Sequence, residues 1–305
     1  MGTITKASTR FTSELSKEMF NKVKGHSALA KLCGASPMPF AGTDTFIFTM
    51  DGEASIVGEG ANKPAGEADL TSVTIKPIKF VYQHRVTDEF LKMSAEKQLP
   101  VLEAFSDGFA KKMARALDIA AIHGVNPADG AESKSVIGNN CFVKAVTNTV
   151  VYDSSAPDDN IDDAVAPIQN ADGIITGIAM SPVFGAALGA MKTADSNLPI
   201  YPEFRFGANP GNFGGMAADI NNTVSFGSSA LKAIIGDFAG GFKWGYAEEI
   251  PLEIIEYGDP DGQGDLKRTN QIVLRSESYI GWGILDKASF TLIKSSASVA
   301  DPSTD

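Results

Sequence analysis

Thr43-Asp44-Thr45-Phe46-Ile47-Phe48-Thr49-Met50 and Thr71-Ser72-Val73-Thr74-Ile75-Lys76-Pro77-Ile78-Lys79-Phe80-Val81-Tyr82-Gln83-His84-Arg85-Val86-Thr87 read as the arms of one oversized β-hairpin. Between them lies a charged, glycine-rich tip, Val57-Gly58-Glu59-Gly60-Ala61-Asn62-Lys63-Pro64-Ala65-Gly66-Glu67. The second arm is about three times the usual strand length, and two strands alone are marginal in water. Such a hairpin needs a surface to lie on, supplied by its own domain or by another copy of the chain. The second arm also changes parity. Val73 and Ile75 are odd-numbered, whereas Ile78, Phe80, Tyr82, His84 and Val86 are even-numbered, with Pro77 between them. Strand alternation has period two, so the switch predicts a bend at Pro77. The proximal half is expected to join the body and the distal half to project.

The chain has 305 residues, 43% hydrophobic and 21% charged, as suits a packed globular protein. No apolar run approaches the roughly 20 residues of a membrane span. Met1-Gly2-Thr3-Ile4-Thr5-Lys6 has no apolar core of a secretory signal, and Lys6 breaks the myristoylation pattern. Cys33 and Cys141 are the only cysteines, which predicts buried thiols in a reducing compartment. A net charge of -11 argues against a protein that grips and reads nucleic acid, though not against one that surrounds it.

Thr12 to Val23 predicts a short amphipathic helix with Ser13 as N-cap and Leu15, Met19 and Val23 on one face. Ser27 to Cys33 continues as another turn or two. The strongest helix runs from about Lys97 to His123, with Pro100 in its first turn and Gly124 closing it. Leu102, Phe105, Phe109, Met113 and Ala116/Leu117 recur at spacings of three and four. At ~1.5 Å per residue it is about 40 Å long, the natural spine of a domain. From Asp158 the elements alternate. A helix capped by Asp158-Asp159-Asn160 precedes a buried strand at Gly173–Met180, a helix at Val183–Lys192, a long loop at Gly207–Gly215, and short strands at 230–236 and 242–246. Strands return at Glu249–Tyr257 and Gln271–Leu285, joined by the turn-rich Gly258–Asp265. Residues 295–305 read as a disordered tail. The elements flanking the α/β insert are expected to share one sheet.

The search for chemistry returns no catalytic set, cofactor site or metal site. His26, His84 and His123 fall in different elements without metal-ligand spacing. His84, on the apolar parity, is expected to be packed or at an interface. Gly58-Glu59-Gly60 lacks the strand-to-helix context of a dinucleotide fingerprint. Asp259-Pro260-Asp261-Gly262-Gln263-Gly264-Asp265 resembles the opening of a calcium loop, but Gln271 stands where a bidentate Glu belongs, so a polar turn is favoured. Asp158-Asp159 and Asp162-Asp163 are helix-start acids. Gly211-Asn212-Phe213-Gly214-Gly215 has no basic cluster beside it.

The order of elements resembles the major capsid proteins of tailed bacteriophages, whose fold is named after coliphage Hong Kong ninety-seven. Ala54–Pro64 with Val73–Lys79 looks like the family's extended loop. Thr87-Asp88-Glu89-Phe90-Leu91, Leu117-Asp118, Gly236-Asp237-Phe238, Trp244-Gly245, Asn270–Glu277 and Gly281–Asp286 follow in the family's order. The resemblance covers roughly residues 12–293. It implies an α+β fold with an N-terminal arm at 1–40 and an extended loop at 41–86. A peripheral domain at 87–144 and 248–293 would carry the spine helix, beside an α/β axial domain at 145–247 and a flexible tail at 294–305. It also implies no enzyme but a subunit of hexamers and pentamers, assembled in the host cytoplasm into an icosahedral shell around double-stranded DNA. Portal protein is an implied partner. Many relatives begin with a helical scaffolding domain, so a separate scaffolding protein, or a trimmed form of this chain, is expected.

On this reading Phe46, Phe48, Phe80 and Tyr82 bury hairpin surface against a neighbour, and Glu59, Lys63 and Glu67 at the tip pair with it. Asp259, Asp261, Asp265 and Arg268 are expected at the turn that meets other capsomers. Two rival readings are a bacterial nanocompartment shell enclosing enzyme cargo, and a soluble α/β enzyme with its site near Gly207–Gly215.

Overall fold

The structure is a computed structural model that describes residues 26–296 apart from 52, 53, 64, 94 and 250–252. The expected helix at 12–23 and the tail from residue 297 onward lie outside the described residues.

Helix α1 (Ala28–Leu32) opens on Ser27, whose Oγ accepts a hydrogen bond from Ala30 N at 3.0 Å. Strands β1 (Thr43–Asp51) and β2 (Glu67–Ile75) pair antiparallel along their whole length, from Thr43↔Ile75 to Asp51↔Glu67. Strand β3 (Ile78–Thr87) begins after Lys76-Pro77 and belongs to a different sheet. The long second arm is therefore two strands with two partners, divided where the parity changes. The ribbon also begins at Glu67 rather than Thr71.

A helical turn at Glu89–Lys92 leads into α2 (Ala95–His123), which starts earlier than expected and holds Pro100 in its interior. Gln98 accounts for the extension. It is buried, and its Nε2 donates to the carbonyls of Phe90 (2.9 Å) and Met93 (3.0 Å), locking the preceding turn onto the helix. Pro100, in the second turn, cannot donate an intrahelical hydrogen bond and stays exposed. Leu102, Phe109, Met113 and Leu117 are buried along the expected stripe. Gly124 ends the helix at φ +70°, donating to Ala120 O at 3.0 Å.

Next come β4 (Thr149–Val151), α3 (Pro157–Asn170), β5 (Gly177–Met180), α4 (Pro182–Ala190), β6 (Asn212–Phe213), β7 (Met216–Ile220) and β8 (Leu231–Gly236). The chain closes with β9 (Phe242–Glu249), β10 (Glu253–Ile255), β11 (Gln271–Ile284) and β12 (Phe290–Lys294). Strand β11 is the centre of a four-stranded sheet. One side pairs with β3 from Gln271↔Thr87 to Ile280↔Ile78, and the other with β10 and β9. Elements from before and after the α/β insert thus share a sheet. The insert builds a mixed six-stranded sheet in the order β4-β12-β8-β5-β7-β6. Its strands are apolar on both faces because both are covered. Ile178, Met180, Ala233, Ile235 and Ile293 pack with Ile161, Ile168 and Phe184 of α3 and α4. Ala179, Ile234 and Leu292 pack instead into the core shared by Leu29, Trp244 and Trp282.

Several expected boundaries move. Residues 242–247 were grouped with the insert and 290–293 with the closing strands, but β9 pairs with β11 and β12 pairs with β8 and β4. The strand expected from Gly173 begins at Gly177, because Asp172 (φ +54°) and Gly173, which donates to Ile168 O at 2.9 Å, wrap the end of α3. Asp158 and Asp159 lie in the first turn of α3 rather than capping it; Pro157 opens the helix and Asn160 is buried, donating to Asp153 O at 2.8 Å. The long loop at Gly207–Gly215 contains β6, which turns back through Gly214-Gly215 to pair Phe213 with Met216. Of the strand expected at Glu249–Tyr257, the described residues hold β10 and the last residue of β9.

Candidate assembly surface

Cross-strand partners share a face of a ribbon. In the β1–β2 pair, Asp44/Thr74, Phe46/Ser72 and Phe48/Leu70 form one face, and Thr45/Val73 and Thr43/Ile75 belong to the other. Only the root of the second face is packed. Ile75 is fully buried. A Cβ on Gly283 would stand 2.8 Å from Ile75 Cγ1, and one on Gly281 would stand 2.7 Å from Met38 Sδ. The root therefore rests on bare backbone of β11. Residues 35–38 run alongside. Ser36 N donates to Trp244 O at 2.9 Å, and a Cβ on Gly245 would meet the Ser36 carbonyl oxygen at 1.7 Å. Beyond the root the ribbon is bare: Phe46 is 67%, Phe48 62% and Leu70 62% exposed. Leu70 escaped the sequence reading because the second arm was started at Thr71; the partnership with Phe48 is what reveals it. Glu59 and Lys63 are exposed at the tip, and Glu67 is the first residue of β2.

Phe80 and Tyr82 sit on β3, in the sheet centred on β11 rather than on the ribbon. Both are half-buried on β3, Phe80 with its ring 6.3 Å from Trp282 and Tyr82 with its ring 6.2 Å from Phe105 of α2. Together with Phe109 and Met113 they seat α2 on the sheet. His84, expected to be packed or at an interface, is exposed in the single chain.

The turn at 258–265 is held by an arginine the sequence reading missed. The Arg85 guanidinium, on β3, donates through Nε to Asp261 Oδ2 at 2.7 Å and through Nη2 to Asp261 Oδ1. It also reaches Gly264 O at 2.8 Å, Gln271 Oε1 at 3.1 Å and Asp259 Oδ1 at 3.4 Å. Thus the oxygens that resemble a calcium loop surround an internal cation, and the neutral Gln271 completes its shell. The Arg85 hydrogen bond holds the Asp261 carboxyl down at about 2. Arg275 adds a second tie, donating to Gln83 Oε1 at 2.9 Å and Pro260 O at 3.2 Å. Asp259 and Asp261 are therefore engaged within the chain. Asp265 accepts from Arg268 N at 3.1 Å, and the Arg268 side chain is exposed. Arg85→Gln should free the turn, with amide exchange across 258–266 faster by roughly tenfold or more while α2 stays protected. Unchanged exchange in that turn would show that the guanidinium does not hold it.

Asp118 is the buried joint between α2 and the root of the N-terminal segment. Its carboxylate accepts from Ser27 Oγ at 2.5 Å, Ala28 N at 2.8 Å, Leu29 N at 3.2 Å and Thr223 Oγ1 at 2.8 Å. Burial pushes its pKa from 3.8 up to about 6, against the pull of those donors. A raised pKa stabilises the fold fully below the unfolded value, and that contribution is lost as pH rises through the folded one. Between pH 4 and pH 7 this group alone should lower the unfolding free energy by about 2 kcal/mol. Asp118→Asn should remove that slope in denaturant titrations; a slope equal to the parent's would assign it to other groups. No cluster of three His, Cys, Asp or Glu side chains able to hold a metal occurs among the described residues, and no described helix is long and apolar enough to cross a membrane.

A family model described as the phage capsid family matches residues 11–295. A solved structure from Mycobacterium phage Ogopogo has a TM-score of 0.75 at 30% identity, covering 88% of this chain and 92% of that one. One from Gordonia phage Cozz has a TM-score of 0.73 at 26% identity, covering 89% and 87%. The capsid of an empty GTA particle computed with C5 symmetry shares the fold, with a TM-score of 0.60 at 16% identity, covering 89% and 90%. No curated protein sequence matches the chain.

Proposed function

The chain belongs to the phage capsid family, and from that premise we propose that it is the major capsid protein, a shell subunit whose work is geometric. Copies associate into pentamers and hexamers that tile an icosahedral shell around double-stranded DNA, assembled in the host cytoplasm. The observation that carries this reading is the ribbon. Its root is locked into the body through Ile75, yet its outer face presents Phe46, Phe48 and Leu70 to solvent. An apolar patch of that kind marks an interaction site. The packed root also fixes the direction in which the ribbon projects, as a repeating assembly requires.

In this reading residues 1–40 are the N-terminal arm and 41–75 the extended loop. The sheet centred on β11, with α2 as its spine, is the peripheral domain. The six-stranded sheet, including β12, is the axial domain. Asp265 and Arg268, on the turn that Arg85 stiffens, remain available to other capsomers. A net charge of -11 suits a wall that DNA does not stick to, so the packaged genome is held by enclosure rather than by specific contacts. A scaffolding protein directs curvature, and a portal protein occupies one vertex. Negative-stain microscopy of the purified protein tests the proposal. Closed shells or capsomer rings are expected; a compact monomer at all concentrations, with or without scaffold, would rule it out.

A further inference from the structure

Asp219 on β7 is a buried acid that the shell-subunit reading leaves without a task. It is 1% exposed and lies beneath α1, which packs over β5 and β7; a Cβ on Gly177 would stand 3.0 Å from Leu32 Cδ2. Two nitrogens converge on one of its oxygens. Lys31 Nζ, from α1, donates to Asp219 Oδ1 at 2.5 Å, and Asn209 Nδ2, from the loop before β6, donates to the same atom at 2.8 Å. The other oxygen, Oδ2, is buried and accepts no hydrogen bond among the described residues. Asn209 is also held from its far side, where its Oδ1 accepts from Ile220 N at 3.3 Å. The amide nitrogen thus faces the acid, and the amide oxygen faces a backbone donor. An ion pair that served only the fold would need neither the second nitrogen on the same oxygen nor the orphaned acceptor, which costs stability when buried.

We propose that Lys31 and Asn209 are joined within the chain by an isopeptide bond whose formation Asp219 promotes. An amine, a carboxamide and a buried acid between them are the groups that reaction uses. The Lys31 ammonium passes a proton to Asp219, and the freed lone pair of Nζ attacks Asn209 Cγ. The amide oxygen takes up negative charge facing the Ile220 N–H, which is placed as an oxyanion donor. The Cγ–Nδ2 bond then breaks while Asp219 returns its proton to the departing nitrogen. A second Lys31 proton follows, so that ammonium leaves, the Nζ–Cγ amide remains and Asp219 is a carboxylate again. No oxidant or cofactor enters. Asn209 is exposed, so the ammonium is released to solvent. The new amide N–H donates alone to Oδ1, where two nitrogens crowded before. The bond closes residues 31–209 into one covalent loop and fastens the root of the N-terminal segment to the six-stranded sheet. It forms in the folded chain and does not depend on shell assembly.

Intact-mass spectrometry of the purified full chain tests this. The parent should be lighter than its sequence by one ammonia. Tryptic digestion should give a branched peptide joining Lys31 to Asn209, with no cleavage after Lys31. Lys31→Arg keeps the charge beside Asp219 but removes the amine, and Asn209→Ala removes the carboxamide. Both should keep their full sequence mass, and the looped parent should run ahead of them on a denaturing gel. Asp219→Asn should slow the loss of ammonia by roughly a hundredfold or more; a rate equal to the parent's would overturn the role of the acid. A parent at full sequence mass, before and after assembly, would overturn the proposal whatever the variants do. Ammonia loss without the branched peptide would place it in a cyclised Asn elsewhere and overturn it too. So would multimers joined from Lys31 of one copy to Asn209 of another.

Discussion

A chain lacking residues 55–70 should fold, melt within about 3 °C of the parent, and fail to close shells. The deletion removes the tip, the first residues of β2 and Leu70. None of the buried residues of the hydrophobic clusters lies within it. Ile75 keeps its seat on Gly283 and β3 keeps its pairing with β11, so the body loses little. What disappears is the projecting ribbon, because β1 no longer has a full partner and two strands are marginal even when complete. Thermal melting checks the first half of the expectation, and sedimentation of assembly reactions checks the second. Normal particles from this variant would show that the ribbon is dispensable.

Gly245→Val should be the most damaging single change at the root. The added Cβ would sit 1.7 Å from the Ser36 carbonyl oxygen, which is backbone and cannot swing aside. Gly245 pairs with Gly281 across the β9–β11 ladder, and Met38 lies against Gly281. Forcing residues 35–38 outward breaks the Ser36 N to Trp244 O bond and opens the core around Trp244 and Trp282. Overpacking of this kind costs about 3 kcal/mol. Urea titration should show a lower midpoint with an unchanged slope. Gly58→Ala, with nothing within 4 Å, serves as the neutral control. Equal midpoints for the two variants would contradict the packing described at the root.

Local signals were legible in the sequence. The parity switch located the bend, and the spacing of three and four located α2. Partnerships were less so. Nothing near Ile78 says that β3 leaves β2 for a strand beginning at Gln271, or that Phe290–Lys294 joins the other sheet. Those are non-local pairings, decided by which faces bury together. Arg85 shows the same blindness from the other side. The acids at 259 and 261 looked like a solvated turn because their cation stands far away in sequence, on an odd-numbered position of an apolar strand. The one local clue was Gln271, a neutral side chain where a metal loop would want a carboxylate. Asp118 also left a clue, since it interrupts the apolar run Leu117-Asp118-Ile119-Ala120-Ala121. An acid so placed needs donors, and Ser27, Ala28, Leu29 and Thr223 provide them.

The claim that the ribbon is an assembly element is tested most directly by a cryo-electron-microscopy reconstruction of the assembled particle. Density for residues 43–75 of one subunit should cross onto its neighbour, with Phe46, Phe48 and Leu70 buried there. A ribbon folded back onto its own body, or still bare in the closed shell, would contradict it.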